Sequence, residues 1–170
     1  GAGAGAGTKK AVKKKAAGTK KAGTAGAKAG GRDPTKLKKS DPKGAFGLEK
    51  DWLLQKSADE KRAYAAKILR ADGAVAKALF GAKSTGTVDA DVLCEVAVAR
   101  LDVLDGPSSA VGKALAALEL VASAPRFELT ASFLSNGQKG SVETSLDAAL
   151  AKGGAVFEAQ VGRIKEGFKM

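Results

Sequence analysis

The sequence predicts an all-α fold: a small bundle of five or six helices carrying a long, extended, basic N-terminal arm. Three observations predict it. Apolar residues recur at helical spacings from Phe46 onward, capping and breaking signals divide those runs, and the first 31 residues lack the large apolar side chains that a core needs. We therefore read an arm over residues 1–44 and a helical domain over residues 45–170.

Residues 1–31 are almost entirely Gly, Ala, Thr and Lys, and Val12 is the largest apolar side chain among them. Ordering each residue costs about 1–2 kcal/mol of backbone entropy, which such a segment has little burial to offset, so it is not expected to fold alone. Gly7-Thr8-Lys9-Lys10-Ala11 returns as Gly18-Thr19-Lys20-Lys21-Ala22, an echo better explained by low complexity than by a solenoid. Pro34 and Pro42 discourage helix at the residues before them. Fully extended, the arm reaches about 145 Å, against a radius of gyration of about 14 Å for the body.

Charge separates the two parts. The arm holds 13 cations, Lys9, Lys10, Lys13, Lys14, Lys15, Lys20, Lys21, Lys28, Arg32, Lys36, Lys38, Lys39 and Lys43, against Asp33 and Asp41, and so accounts for the whole net charge of +11. The body carries 16 basic and 16 acidic side chains. A polycation neutralises phosphate, acidic protein surface or anionic headgroups through the same Coulombic attraction. Arg32 is the one Arg among these cations, whereas bidentate base reading is typically done by Arg. No aromatic residue precedes Phe46 to stack on bases. Acidic protein subunits are therefore the expected partners, with non-specific binding to nucleic acid as the alternative. All the arm cations but Lys43 are candidate partner contacts, joined by Trp52.

Leu48, Trp52 and Leu53 or Leu54 mark a short amphipathic turn or helix, in which Trp52 either packs in the core or anchors a partner. Ser57 and Glu60 form a capping box opening a helix to about Ala71, with Tyr64, Ile68, Ala65 and Leu69 facing inward. Asp72-Gly73 breaks or kinks it before Val75, Ala76, Leu79 and Phe80 continue. A loop spans Gly81 to Gly86. Asp89 then caps a well-buried helix over 90–104, with a stripe of Val92, Val96, Ala99 and Val103 widened by Leu93, Leu101 and Leu104. Cys94, on that helix, is a core residue. Gly106-Pro107 ends it, Ser108 or Ser109 caps the next, and Val111, Leu115, Leu118 and Ala122 line up to about Ser123.

Residues 126–134 fit two readings. Phe127, Leu129, Ala131 and Phe133 alternate with polar residues as in a strand before an Asn136-Gly137 hairpin turn. Phe127, Ala131 and Leu134 also fit a helix with Asn136-Gly137 as its C-cap. Helix is favoured, because Gly140-Ser141-Val142-Glu143 makes a poor second strand. Ser141 then opens a last helix with Leu146, Leu150, Phe157, Val161 and Ile164, weakened by Gly153-Gly154 and Gly162.

The chemistry available is narrow. Histidine is absent, so Ser–His and Cys–His nucleophilic pairs cannot form within this chain. Cys94, the single cysteine, makes no internal disulfide and supplies one ligand of the tetrahedral set that zinc requires. Gly81-Ala82-Lys83-Ser84 lacks the adjacent Gly-Lys of a P-loop, and Gly112-Lys113-Ala114 lacks its hydroxyl. Asp102 and Asp105 read as a solvated face. No catalytic, cofactor-binding or metal-binding residue is expected, and the chain is read as non-enzymatic. The apolar run 110–122 is interrupted by Lys113 and Glu119, so no membrane span is expected. A first residue of Gly rather than Met fits a processed, organellar chain.

Residues Gly26-Ala27-Lys28-Ala29-Gly30-Gly31-Arg32-Asp33 resemble the Gly-Ala-Lys-Ala-Gly-Gly-Lys-Asp segment of cryptophyte phycoerythrin α subunits. They are similar to the chromophore-binding α-like motif of red-algal phycobilisome linker and scaffolding proteins. The resemblance implies a basic, extended linker threaded among phycobiliproteins, in a light-harvesting phycobilisome on the stromal face of the chloroplast thylakoid. No cysteine precedes the segment to carry a bilin, so it implies the linker role without the chromophore. The expectation is thus a structural subunit of a large assembly, with a nucleic-acid-associated structural protein, ribosomal or chromatin-like, as the alternative.

Overall fold

The computed structural model describes residues 1–3, 37–102 and 106–170. Of the extended arm expected over residues 1–44, residues 4–36 lie outside the described residues, as do Val103, Leu104 and Asp105. The chain divides at Gly31–Arg32, and the helical body belongs to the second unit, Arg32–Met170.

Among its described residues this unit is all-α, as predicted, with no strand. It has eight α-helices where five or six are expected: α1 Ala45–Leu53, α2 Ala58–Ile68, α3 Ala74–Phe80, α4 Ala90–Leu101, α5 Ser108–Ala122, α6 Phe127–Ser132, α7 Asn136–Gly153 and α8 Glu158–Phe168. Glycine breaks raise the number. Gly73, with φ at +67°, separates α2 from α3, and Gly154, at +87°, divides the expected last helix into α7 and α8 around a 3-10 turn, Ala155–Phe157.

The local signals act where they stand in the sequence. Ser57 Oγ accepts the Glu60 N–H at 3.2 Å while the Glu60 carboxylate accepts the Ser57 N–H at 3.0 Å, closing the predicted capping box of α2. The backbone N–H of Ser57, and then that of Lys56, hold the Glu60 carboxyl below its usual range. Asp89 Oδ1 accepts the Asp91 and Val92 N–H groups at the start of α4, as predicted. Residues 127–132 are helical, the favoured reading of that stretch.

Three expectations are corrected. Neither Ser108 nor Ser109 caps α5: Pro107 stands at the N-cap and both serines lie inside the first turn. Asn136-Gly137 neither closes a hairpin nor caps α6, because it opens α7. Ser135 and Gln138 form a second capping box around it, with Ser135 Oγ accepting from Gln138 at 3.3 Å and Gln138 Oε1 accepting from Ser135 at 2.7 Å. Ser141 therefore does not start a helix; it lies within α7, its hydroxyl donating to the Gly137 carbonyl at 3.0 Å. On α4 the expected stripe is buried at Leu93, Val96 and Leu101 and half-buried at Val92 and Ala99, and Cys94, Ala97 and Arg100 are buried beside it. With α2, α5 and α7 all packed on it, α4 is covered on more than one side.

The core forms around α5, which packs on α3, α4, α6, α7 and α8 through Val111, Ala114, Leu115, Leu118 and Val121. Phe127 stands edge-on between Phe80 and Phe168, with ring centroids 5.4 and 4.8 Å away. Gly167 lets α8 approach α5 closely. A Cβ there would fall 2.6 Å from the Ala122 Cβ and 3.0 Å from its carbonyl oxygen.

Candidate partner-binding surface

Of the cations assigned to partner contacts, Lys9, Lys10, Lys13, Lys14, Lys15, Lys20, Lys21, Lys28, Arg32 and Lys36 lie outside the described residues. Lys38 and Lys39 are exposed at the edge of the helical body. Just after them the chain is pinned down. Asp41 is buried, its carboxylate accepting the Lys38 N–H at 2.8 Å and both oxygens meeting Arg70 Nη1 at 3.0 and 3.1 Å. Arg70 Nε donates to Asp72 Oδ2 at 2.8 Å, and Asp72 Oδ1 accepts the Ala74 N–H that begins α3.

These contacts set the charge states. Burial pushes the Asp72 carboxyl upward, but the Ala74 N–H and Arg70 more than offset it and hold it below its usual range. Burial likewise pulls the Arg70 guanidinium down, and the hydrogen bonds from Asp72 and Asp41 leave it above its usual value. Arg70 Nη2 is buried without a hydrogen-bond partner, so the cluster carries a desolvation cost as well as a gain. Residues 38–42, which composition groups with the arm, thus pack on the end of α2 and the start of α3. Lys67 Nζ adds a bond to the Ser40 carbonyl at 3.3 Å.

Trp52, offered by the sequence as a partner anchor, is only 2% exposed. Its core alternative is the one the structure displays. The ring lies 6.2 Å from Tyr64, and Nε1 donates to Glu95 Oε2 at 2.9 Å. Lys61 Nζ stands 5.1 Å from the indole and 2.6 Å from the same carboxylate. Lys61 first, then Trp52, holds the Glu95 carboxyl below its usual range. Tyr64 donates to Asp51 at 3.1 Å, and burial followed by the Asp51 charge pushes its phenol upward. The outward-facing apolar residues of this region are instead Phe46, 78% exposed, Leu53, 69% exposed, and Leu54. The expectation that Leu53 or Leu54 joins the buried face of this helix is corrected: both lie on the opposite side.

A cleft of about 440 Å³ opens between α2, α4 and α7, with Trp52, Ala58, Val98, Ala99, Leu101 and Ala148 among its walls. Its charged rim is satisfied internally. Lys61 pairs with Glu95, and Arg62 bridges Asp59 at 2.6 Å and Asp102 at 3.1 Å. Asp102 is thus the solvated-face residue the sequence implies, and Asp105 lies outside the described residues. With Glu95 held ionised beside its Lys partner, the cleft presents it as a hydrogen-bond acceptor and not as a proton donor at neutral pH. Cys94 is buried, its Sγ 3.6 Å from the Gln138 carbonyl, and burial pushes its thiol upward, away from the reactive thiolate. Among the described residues no group of three or more His, Cys, Asp or Glu is placed to hold a metal. No helix among them is long and apolar enough to cross a membrane.

Comparison of the chain with protein-family models, curated proteins and solved structures finds no match.

Proposed function

We propose that the chain is a non-enzymatic linker or scaffold subunit of a large assembly, its helical body seated on one partner and its basic arm running among acidic subunits. The observation that carries this reading is the segregation of charge. All 11 net positive charges reside in residues 1–44, while the body balances 16 cations with 16 anions. Many body charges also pair among themselves, as in Arg163–Glu119, Lys165–Glu143, Lys165–Asp147 and Lys169–Glu128. A field confined to one end attracts an oppositely charged surface to that end and leaves the body to pack by shape. The resemblance at Gly26–Asp33 directs the proposal to an algal phycobilisome, with phycobiliproteins as the acidic partners and the thylakoid's stromal face as the location.

Isolation of the native complex through an antibody to the helical body tests this. Co-purifying acidic protein subunits, with visible pigment bands in the phycobilisome case, support it. Co-purifying RNA or DNA would replace it with the nucleic-acid-associated alternative. In that case binding of the full chain to RNA should weaken steeply with salt, with a slope that shrinks as arm lysines are replaced by Gln.

A further inference from the structure

Among the described residues, helix α1 buries one face and leaves the other exposed. Leu48 and Trp52 hold it to the core, while Phe46, Lys50 and Leu53 share the outer face with Leu54 beside them. At the helical rise, Phe46 and Leu53 stand about 10 Å apart along the axis and almost in line. The helix's two acids are engaged with the body. Glu49 Oε1 accepts the Asp89 N–H at 3.0 Å, and Asp51 Oδ2 accepts the Tyr64 hydroxyl at 3.1 Å. Among the described residues, Lys43, Lys50 and Lys56 are exposed around the stripe, and the exposed Glu60 beside Lys56 is engaged by the Ser57 and Lys56 N–H groups at 3.0 and 2.7 Å.

We propose that the outer face of α1 is a docking surface for an acidic protein segment bearing its own apolar stripe. Phe46, Leu53 and Leu54 would supply the apolar contact, and Lys43, Lys50 and Lys56 the pairing with its carboxylates. The inference deepens the linker reading and rests on it for the acidity of the partner. Charge complementarity identifies the occupant: three large exposed apolar side chains amid lysines fit a segment with the opposite rim. The sequence adds continuity, since α1 follows residues 1–44, which carry the whole net charge.

The test uses the isotopically labelled full chain and a synthetic amphipathic helical peptide with a Leu stripe flanked by Glu. Its controls are the same peptide with Lys in place of Glu, and phosphatidylserine vesicles. The Glu peptide is expected to shift amide resonances over residues 45–55. Phe46→Ser with Leu53→Ser should weaken its binding at least about tenfold, since an apolar anchor typically carries more than 1.4 kcal/mol, with an unchanged circular-dichroism spectrum. Lys43→Gln, Lys50→Gln and Lys56→Gln together should weaken it and flatten its salt dependence. Equal binding of the Lys and Glu peptides, absence of binding, or vesicles engaging Phe46 and Leu53 where the Glu peptide does not would each overturn the proposal. A full chain with Gln at the lysines of residues 9–28 separates the two readings. If this variant no longer binds the Glu peptide at α1, the docking face is refuted while the arm's linker role stands; nucleic acid in the native complex refutes the linker role itself.

Discussion

Arg70 is the most informative residue to remove. The Asp41 side chain is fully buried, and beyond the Lys38 N–H it is met by the Arg70 guanidinium, whose own side chain is only 16% exposed. Arg70→Ala strands that carboxylate in a nearly dry site. Breaking a buried pair from one side costs about 3–5 kcal/mol, mostly the penalty of the uncompensated charge. For a body of this size that lowers the unfolding midpoint by roughly 10–20 °C. The loss is large beside the roughly 5–15 kcal/mol by which domains are stable.

Far-UV circular dichroism of the full chain, followed through thermal and urea unfolding, measures it. Asp41→Asn should cost less, and combining it with Arg70→Ala should recover about 1–3 kcal/mol relative to the sum of the two single changes. Acid adds a second readout. The Asp72 carboxyl is held low in the fold, so its contribution is fully present above its unfolded value of about 3.9 and is lost as pH falls through the folded value. The wild-type chain's advantage over Arg70→Ala should therefore shrink below about pH 4. An Arg70→Ala midpoint within a degree or two of wild type, together with strict additivity, would refute the idea that this cluster fixes residues 38–42 to the body.

Two further outcomes test the packing. Gly167→Ala places a methyl 2.6 Å from the Ala122 Cβ, forcing α8 away from α5 at a cost of about 1–3 kcal/mol; an unchanged urea midpoint would show that the helices separate freely. Cys94 should react with a disulfide reagent far more slowly than a free thiol, because it is buried and its thiol is pushed upward. Denaturant should restore the full rate, and rapid labelling of the native chain would contradict its placement.

Local signals are legible in this sequence and distant partnerships are not. The Ser57–Glu60 box, the Asp89 cap and the break at Gly73 each depend on residues a few positions apart, so each can be read without knowledge of the fold. Ser135 and Gln138 have the same spacing, yet Asn136-Gly137 between them carries a stronger turn signal, and the pattern alone starts at Ser141 a helix that begins at Asn136. Asp41 and Arg70 lie 29 positions apart; composition assigns Asp41 to the arm, and only the fold makes it a buried partner. At α1 the ambiguity is angular. Leu48 and Trp52 define one face, but Leu53 and Leu54 are as apolar as any core residue, and their exposure follows from how the body packs around Trp52.

The position of the clamp bears on how such a linker would work. Asp41 fixes the backbone four residues before α1 begins, so the proposed docking face and the root of the arm share one rigid attachment. Under the proposed function, a partner gripping α1 would hold the start of the helical body, residues 38–42, near its own surface. Confinement of this kind raises the effective concentration of the second contact. Two individually weak interactions, one apolar and one electrostatic, would thereby become a durable attachment. If Arg70→Ala frees residues 38–42, that coupling loosens even where the stripe and the lysines are intact. Affinity of the full chain for an acidic partner should then fall in a variant that touches neither contact.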